Sequence, residues 1–442
     1  MRVAVIGSGV SGLVCARLLN PVHEITVYEA DSRIGGHVNT VPVAIDDENH
    51  HIDTGFIVYN DQTYPVFSQL LKDLGIPTQS TSMSFSVRCD RSGVEYNGTN
   101  FNGVFAQRTN LFRPTFLRML RDIVRFNRDG LDDVINVQPE ETVGSYLKRK
   151  GYSHAFAQRY LLPMGAAIWS CPYADFEKFP IRFILEFYIN HGLLSLSNRP
   201  VWRVVEGGSR RYTDSLTEPF RGKILVSNPV HQVRRCRDYV SVSHASGTTD
   251  FDEVVFACHS DQALRLLADP DPVEMELLSE FPYSGNSAVL HWDESLLPQS
   301  RRAWAAWNYH IPSEHSSRPT VTYNMNILQH LQSDRTFCVT LNEDHLIDSD
   351  KILARFNYSH PLFTTRRAAV QRRHSDVIRH RRTSYCGAYW GNGFHEDGVV
   401  SALAVCRSYG IPGWSATTAR IDRISLAKTA DTQSISDTGA EP

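Results

Sequence analysis

Residues 1–36, MRVAVIGSGVSGLVCARLLNPVHEITVYEADSRIGG, leave this chain little choice of fold. An apolar, β-branched run over 3–6 passes through Gly7-Ser-Gly9-Val-Ser-Gly12 into a helical pattern over 13–19, and a second apolar run over 25–28 ends in Glu29. Strand, tight turn, helix, strand and terminal acid, in that order, predict a βαβ unit that binds a dinucleotide. Gly7 permits the turn, Gly9 lets backbone N–H groups approach a pyrophosphate at the helix N-terminus, and Gly12 lets the helix pack closely on the strand. Glu29 would accept from ribose hydroxyls. A bare glycine pattern also occurs in ordinary turns, so the flanking elements carry the assignment.

The rest of the chain bounds the answer. With 442 residues, 42% of them hydrophobic, it can bury one large core or two smaller ones, and two or three domains are expected. A net charge of -3, mixed along the chain, gives no reason to expect nucleic acid. Met1 lies too close to the first strand to leave room for a signal peptide, and no apolar run reaches transmembrane length. The eight cysteines contain no CxxC pair, the pattern of reduced thiols, and a cytoplasmic protein is expected. Cys258 and His259 have no partner at ligand spacing, so no metal site is expected.

After a strand over 52–59 and a helix over 63–74, two short strands (82–89 and 94–96) precede a mostly helical block over 103–195. In its first helix Phe116, Met119, Leu120 and Ile123 make an apolar face, while Arg118, Arg121, Arg125 and Arg128 line another at three- and four-residue steps. Such a stripe suits docking on anionic lipid headgroups or a plain solvated face, and it is the reason to expect peripheral membrane contact as one partner interaction. Residues 161–172, LLPMGAAIWSCP, read as an apolar turn suited to a pocket wall, with Trp169 its largest side chain; core packing explains them equally well. A strand over 201–205, a hairpin over 223–242 and a strand over 253–257 follow. Strands over 286–292, 303–309, 320–324 and 336–341 are rich in Trp, Tyr and Asn, and Trp304, Trp307, Tyr309, Tyr323 and Asn324 are candidate substrate walls, with sheet packing as the alternative. An arginine-rich helical segment over 366–382 reads as solvated surface. Residues 385–402, YCGAYWGNGFHEDGVVSA, read as a short strand, a glycine-rich loop and a helix, with His395 a candidate catalytic acid or base. Residues 413–442 read as a disordered tail.

Arg33-Ile-Gly35-Gly36 directly after the second strand, and Asp53-Thr-Gly55-Phe56 about twenty residues later, give the chain its likeness. With GxGxxG and Glu29 they resemble the signature of the flavin-containing amine oxidase and phytoene-desaturase superfamily. The resemblance implies FAD as cofactor, a second diphosphate cradle from Arg33, Gly35 and Gly36, and Gly55 and Phe56 near the isoalloxazine. It further implies adenine held at backbone of Val230, diphosphate or ribityl contact at Gly387, and N–H groups of Asp397, Gly398 and Val399 at a helix N-terminus beside the flavin, where their dipole would stabilise negative charge. Two positions depart from the family pattern: His37 stands where many members have Arg, and Ala388 where many have Asp, so that the ribityl contact is either absent or supplied by Glu396 or Asp397.

The implied fold is α/β: a Rossmann-like FAD-binding domain of the glutathione-reductase type (1–84, 200–266 and 380–412) with an inserted mixed α+β substrate domain (85–199 and 267–379). In detail the chain looks most similar to bacterial FAD-binding oxidoreductases and to the flavin domain of plant cyclopropane-fatty-acid synthases, which implies lipid-related chemistry. The expected function is an FAD-dependent oxidoreductase taking hydride from a C–H bond of a largely apolar small-molecule or lipid substrate. Amine oxidation is the alternative, with Tyr389 and Trp390 as part of an aromatic cage. A non-catalytic binding protein of the same fold is the third reading, disfavoured by the intact glycines.

Overall fold

The structure is a computed structural model and describes residues 1–413 except 139, 195–199, 314–317 and 319; the tail expected over 413–442 lies almost wholly outside the described residues. Its centre is a five-stranded parallel sheet in the order Ile224–Leu225, Glu24–Tyr28, Arg2–Ile6, Glu253–Phe256, Thr383–Tyr385. Val5 pairs with Val27 on one side and Val255 on the other, and all three are fully buried, as expected of a parallel strand covered on both faces. The first helix, Val10–Leu19, and the last, His395–Ser408, pack against each other through Leu13, Val14, Ala402 and Val405. The 223–227 segment is not the hairpin partner expected of it. Its Leu225 carbonyl accepts from Glu29 N–H at 2.9 Å, so it extends the parallel sheet beside the second strand instead.

A second sheet has seven strands in the order Ile352–Pro361, Tyr283–His291, Cys338–Leu341, Thr320–Asn324, Trp307–Ile311, Phe85–Cys89, Val94–Asn97. The edge strand Ile352–Pro361 escaped the sequence reading because its half-exposed residues carry no clean apolar alternation. Helices cover this sheet: Pro114–Asn136 crosses Ile181–Asn190, where a Cβ on Gly130 would lie 3.1 Å from Leu185. Residues 161–172 are largely a helix, Leu162–Trp169, rather than a turn. This helix continues from a π-helical turn over Ala157–Leu161, a junction at which Pro163, with no N–H to donate, is accommodated, and Gly165 packs flat under the Phe176 ring. Among the described residues no helix is long and apolar enough to cross a membrane.

His310 on this second sheet is held between two carboxylates. His310 Nδ1 lies 2.6 Å from Glu343 and Nε2 lies 2.8 Å from Asp90. Burial opposes charge on the ring, but both carboxylates outweigh it and the pKa is raised above its ordinary value of 6.5. A raised folded pKa contributes stability that is full below the unfolded value and is lost as pH rises through the folded one. Melting temperatures at about pH 6 and about pH 9 should therefore differ more in wild type than in His310→Gln; equal differences would remove His310 from the pH response.

Candidate functional site

The site is built where the first turn of the parallel sheet meets the start of the last helix. Gly7 has φ +105°, which only glycine adopts without strain, and its N–H donates to Tyr28 O at 2.8 Å. A Cβ on Gly12 would stand 2.0 Å from Gly7 O and 3.0 Å from Ala257 Cβ, so helix and strand touch through the missing side chain. Gly9 is different: a Cβ there would meet no protein atom within 4 Å, and the helix it opens has neither a side-chain cap nor an acid in its first turn. The RIGG loop closes over this point, with Gly35 N–H donating to Ser8 O at 3.0 Å and Gly36 facing Gly9 Cα.

Glu29 stands at the end of its strand. Its carboxylate accepts from Ser8 N–H (2.9 Å), Ser8 O–H (2.5 Å) and Asp31 N–H (2.9 Å), three bonds that leave lone-pair capacity for a hydroxyl. Arg33 spends one donor on Val38 O at 3.0 Å and so also closes its own loop. Val230 opens a strand two residues beyond Asn228, whose N–H donates to Glu29 O at 2.9 Å, so the expected adenine end lies beside the expected ribose end.

At the other end, a Cβ on Gly398 would press to 2.8 Å from Val10 Cγ1, so the N-termini of the first and last helices abut. Val399 is buried in the core beneath them. Gly387 closes the fifth sheet strand and donates to Ser401 O–H oxygen at 2.9 Å. The two acids proposed for a ribityl contact are engaged elsewhere. Glu396 accepts from Val66 and Phe67 N–H (3.0 and 2.9 Å), capping the Pro65–Asp73 helix, and Asp397 accepts from Phe394 N–H at 2.9 Å. Both carboxylates thus hold the last helix in place.

Gly55 packs against His37 O, and Phe56 stacks on His395 with ring centroids 3.5 Å apart. His395 has a partner the sequence did not show: Nε2 lies 3.0 Å from Tyr212 O–H oxygen. Burial pushes its pKa down to about 3, which favours the neutral ring. His37 lies 5.1 Å from both Tyr358 and His360 and 6.4 Å from His259. Burial, with the neighbouring histidines and Arg33, holds His37 well below the usual range, and its buried Nε2 has no hydrogen-bond partner among the described residues. Gly7, Gly9, Gly36, His37, His259, Phe56 and His395 all keep part of their surface open. An unpacked glycine at an uncapped helix end and the unpartnered buried nitrogen of His37 fit a dinucleotide at these segments.

Among the substrate candidates, Trp169 belongs to an aromatic cluster over the start of the last helix: its ring lies 4.7 Å from Phe187 and 5.2 Å from Phe183, and Phe187 stacks on Phe394 at 5.2 Å. Trp307 and Tyr323 pack edge to face at 5.0 Å within the sheet, and Trp307 Nε1 is buried with no hydrogen-bond partner among the described residues. Trp304 and Asn324 do not join them. Trp304 is tied to Pro298 O and covered by Arg301, and Asn324 caps a short helix by accepting from Ile327 N–H, so packing and capping explain both. Trp390 stacks on His374 at 4.2 Å. Of the arginine stripe, Arg125 turns inward onto Tyr152 and Asp122.

Two residues that sequence reasoning dismissed or missed stand at the site. Arg367, read as solvated surface, is buried: its guanidinium lies 3.8 Å over Phe183 and 4.6 Å over Phe363, and it donates to Gly391 O and Asn392 Oδ1. Burial draws its pKa down to about 10, still charged at neutral pH. Asp53 accepts from Thr40 O–H, Ser209 N–H and Ser209 O–H, locking the DTGF segment to the glycine pair at 207–208; burial raises it to about 6. The Asp-Thr-Gly motif was the signal for it.

Residues 10–310 match the family described as flavin containing amine oxidoreductase. A 73-residue stretch is 37% identical to a zeta-carotene desaturase of Synechocystis sp., spanning 16% of this chain and 14% of that protein. The fold is similar to cyclohexylamine oxidase from Brevibacterium oxydans IH-35A (TM-score 0.65, 13% identity, 92% of this chain and 99% of that one). It is similar, too, to a CLA-producing fatty acid isomerase from P. acnes (TM-score 0.64, 13% identity, 92% and 98%).

Proposed function

We propose, from the premise that this chain belongs to the flavin-containing amine oxidoreductase family and is an FAD-dependent oxidoreductase, that it oxidises a C–H bond of a neutral, largely apolar substrate, with an acyl lipid as the class that fits best. Bound FAD would supply the redox chemistry, as the acceptor for hydride. The chain's own residues do the rest. The uncapped first-helix N-terminus with Gly35 and Gly36 would hold the pyrophosphate, Glu29 a ribose, and Val230 backbone the adenine. The start of the last helix, at Asp397, Gly398 and Val399, would offer its positive end to negative charge on the flavin. Phe56 and neutral His395 provide a flat, dry wall. The same reading gives residues 1–84, 200–266 and 380–412 to the cofactor and 85–199 and 267–379 to the substrate.

One observation carries the choice of substrate: the buried charge of Arg367 beside the Trp169–Phe187–Phe394 cluster. Its hydrogen bonds go to neutral acceptors, and the Asp397 and Glu186 carboxylates offset only part of what burial costs its charge, so a protonated amine entering this chamber would meet a buried like charge in low dielectric. An apolar chain, or one ending in a carboxylate, would not. The lipid-linked resemblance of the sequence and the names of the desaturase and the fatty acid isomerase point the same way. Anaerobic mixing of the flavin-loaded protein with a panel of acyl lipids and amines should bleach the flavin with a lipid and not with an amine; bleaching by amines alone would overturn the substrate assignment.

A further inference from the structure

The long helix Pro114–Asn136 is apolar on two faces. Phe116, Met119 and Phe126 face the core. On the outside, Leu117, Val124 and Leu131 recur at seven-residue spacing with Ile135 four residues on, one stripe of the helix. Val124 is 58% and Ile135 75% exposed, and the turn that leads into the helix adds Phe101 at 68% and Phe112 at 85%. Single exposed apolar residues need no explanation, but a continuous stripe with two exposed phenylalanines at its head marks an interaction surface. Over 101–128 the charges beside it are almost all positive, while the far end of the stripe carries Asp129, Asp132 and Asp133. Residues 101–128 contain six arginines (108, 113, 118, 121, 125, 128) and one acid, Asp122, in a chain of net charge -3. Asp122 is buried and pairs with Arg125, and Arg128 pairs with Asp129, whereas Arg108, Arg118 and Arg121 are exposed beside the apolar stripe.

We infer that the 101–128 surface docks on an anionic lipid bilayer, the phenylalanines entering the headgroup boundary and Arg118 and Arg121 contacting lipid phosphates. Aromatic and aliphatic side chains interleaved with arginine are the composition that lies in a membrane interface, where buried apolar area and headgroup attraction add. A second copy seated on the same 101–128 segment would place Arg118 and Arg121 against like charge, whereas lipid phosphates neutralise them. The helix Ile181–Asn190 lies between the long helix and Phe394, so the docked face is one helix removed from the aromatic chamber. This inference stands whether or not the substrate is a lipid.

The test uses the flavin-loaded full chain and vesicles of phosphatidylcholine with or without about 30% phosphatidylglycerol. The protein should co-sediment with the anionic vesicles, bind neutral ones at least about tenfold less, and come off in high salt. Arg118→Glu/Arg121→Glu should lower the partition coefficient by at least about tenfold, since both charges reverse. Phe112→Ser should lower it several-fold while leaving the salt dependence. All three side chains are exposed, so an unchanged flavin spectrum will show that the variants fold. Equal binding to both vesicle types, or wild-type binding by the arginine variant, would overturn the inference. So would a concentration-dependent dimer that the same substitutions abolish.

Discussion

Replacing Gly12 by alanine is expected to cost the protein its flavin and part of its stability together, whereas replacing Gly9 by alanine costs the flavin alone. The two glycines lie three residues apart and answer to different neighbours. At Gly12 the new methyl would sit 2.0 Å from the Gly7 carbonyl, backbone that cannot turn aside. The helix must lift off the strand, which over-packing data put at about 1–3 kcal/mol, and the turn that presents Gly7 to Gly9 moves with it. At Gly9 the methyl meets no protein atom within 4 Å, and the residue's φ of -67° suits alanine. The apoprotein should therefore melt as wild type does. If a pyrophosphate approaches that backbone, however, the methyl occupies its place, and affinity should fall by about 100-fold, or about 2.7 kcal/mol. Flavin titration of the two apoproteins, paired with their urea midpoints, separates packing from binding.

Glu274→Ala should be the most destabilising substitution away from the site. Glu274 and the Arg235 side chain are almost fully buried, and two hydrogen bonds join them, at 2.5 and 2.9 Å. Glu274 also accepts from Tyr385 O–H at 2.7 Å and from Asp271 N–H at 3.0 Å, tying the fifth strand of the parallel sheet to the 271–278 helix. Removing the acid leaves a guanidinium in the interior with only half-exposed Asp269 beside it, a loss of about 3–5 kcal/mol for a broken buried pair. Removing both charges with Arg235→Met/Glu274→Leu should recover most of that loss, because the desolvation cost disappears with the ions. Urea unfolding followed by tryptophan fluorescence measures both. Asp271, Glu274 and His380 converge closely enough to suggest a cation site, but Arg235 already supplies the positive charge that the Glu274 carboxylate needs.

What was legible in the sequence was local. The fingerprint could be read because each of its parts serves a neighbour within thirty residues: Gly7 turns the chain, Gly12 meets Gly7, and Glu29 returns to Ser8. The start of the last helix was legible for the same reason, as a glycine-rich loop followed by helical spacing. What could not be read depends on partners far along the chain. Glu396 caps a helix that begins 331 residues earlier at Pro65, and His395 stacks on Phe56 and bonds to Tyr212. Arg367 was dismissed because an arginine-rich segment usually faces water, and only the fold puts Phe183 and Phe363 around one of its members. The loop tie of Trp304 to Pro298 and the helix cap made by Asn324 were illegible for the converse reason: a Trp or Asn has the same sequence signal whether it lines a chamber or ties down backbone.

The account rests on one FAD lying between the first-helix glycines and the start of the last helix. Titrating the apoprotein with FAD by flavin fluorescence, in wild type and in Gly9→Ala, tests this most directly. The expected result is saturable binding of one FAD per chain that Gly9→Ala weakens by about 100-fold without lowering the apoprotein's melting temperature. A wild-type protein that takes up no FAD, or a Gly9→Ala protein that binds it as tightly as wild type, would contradict it.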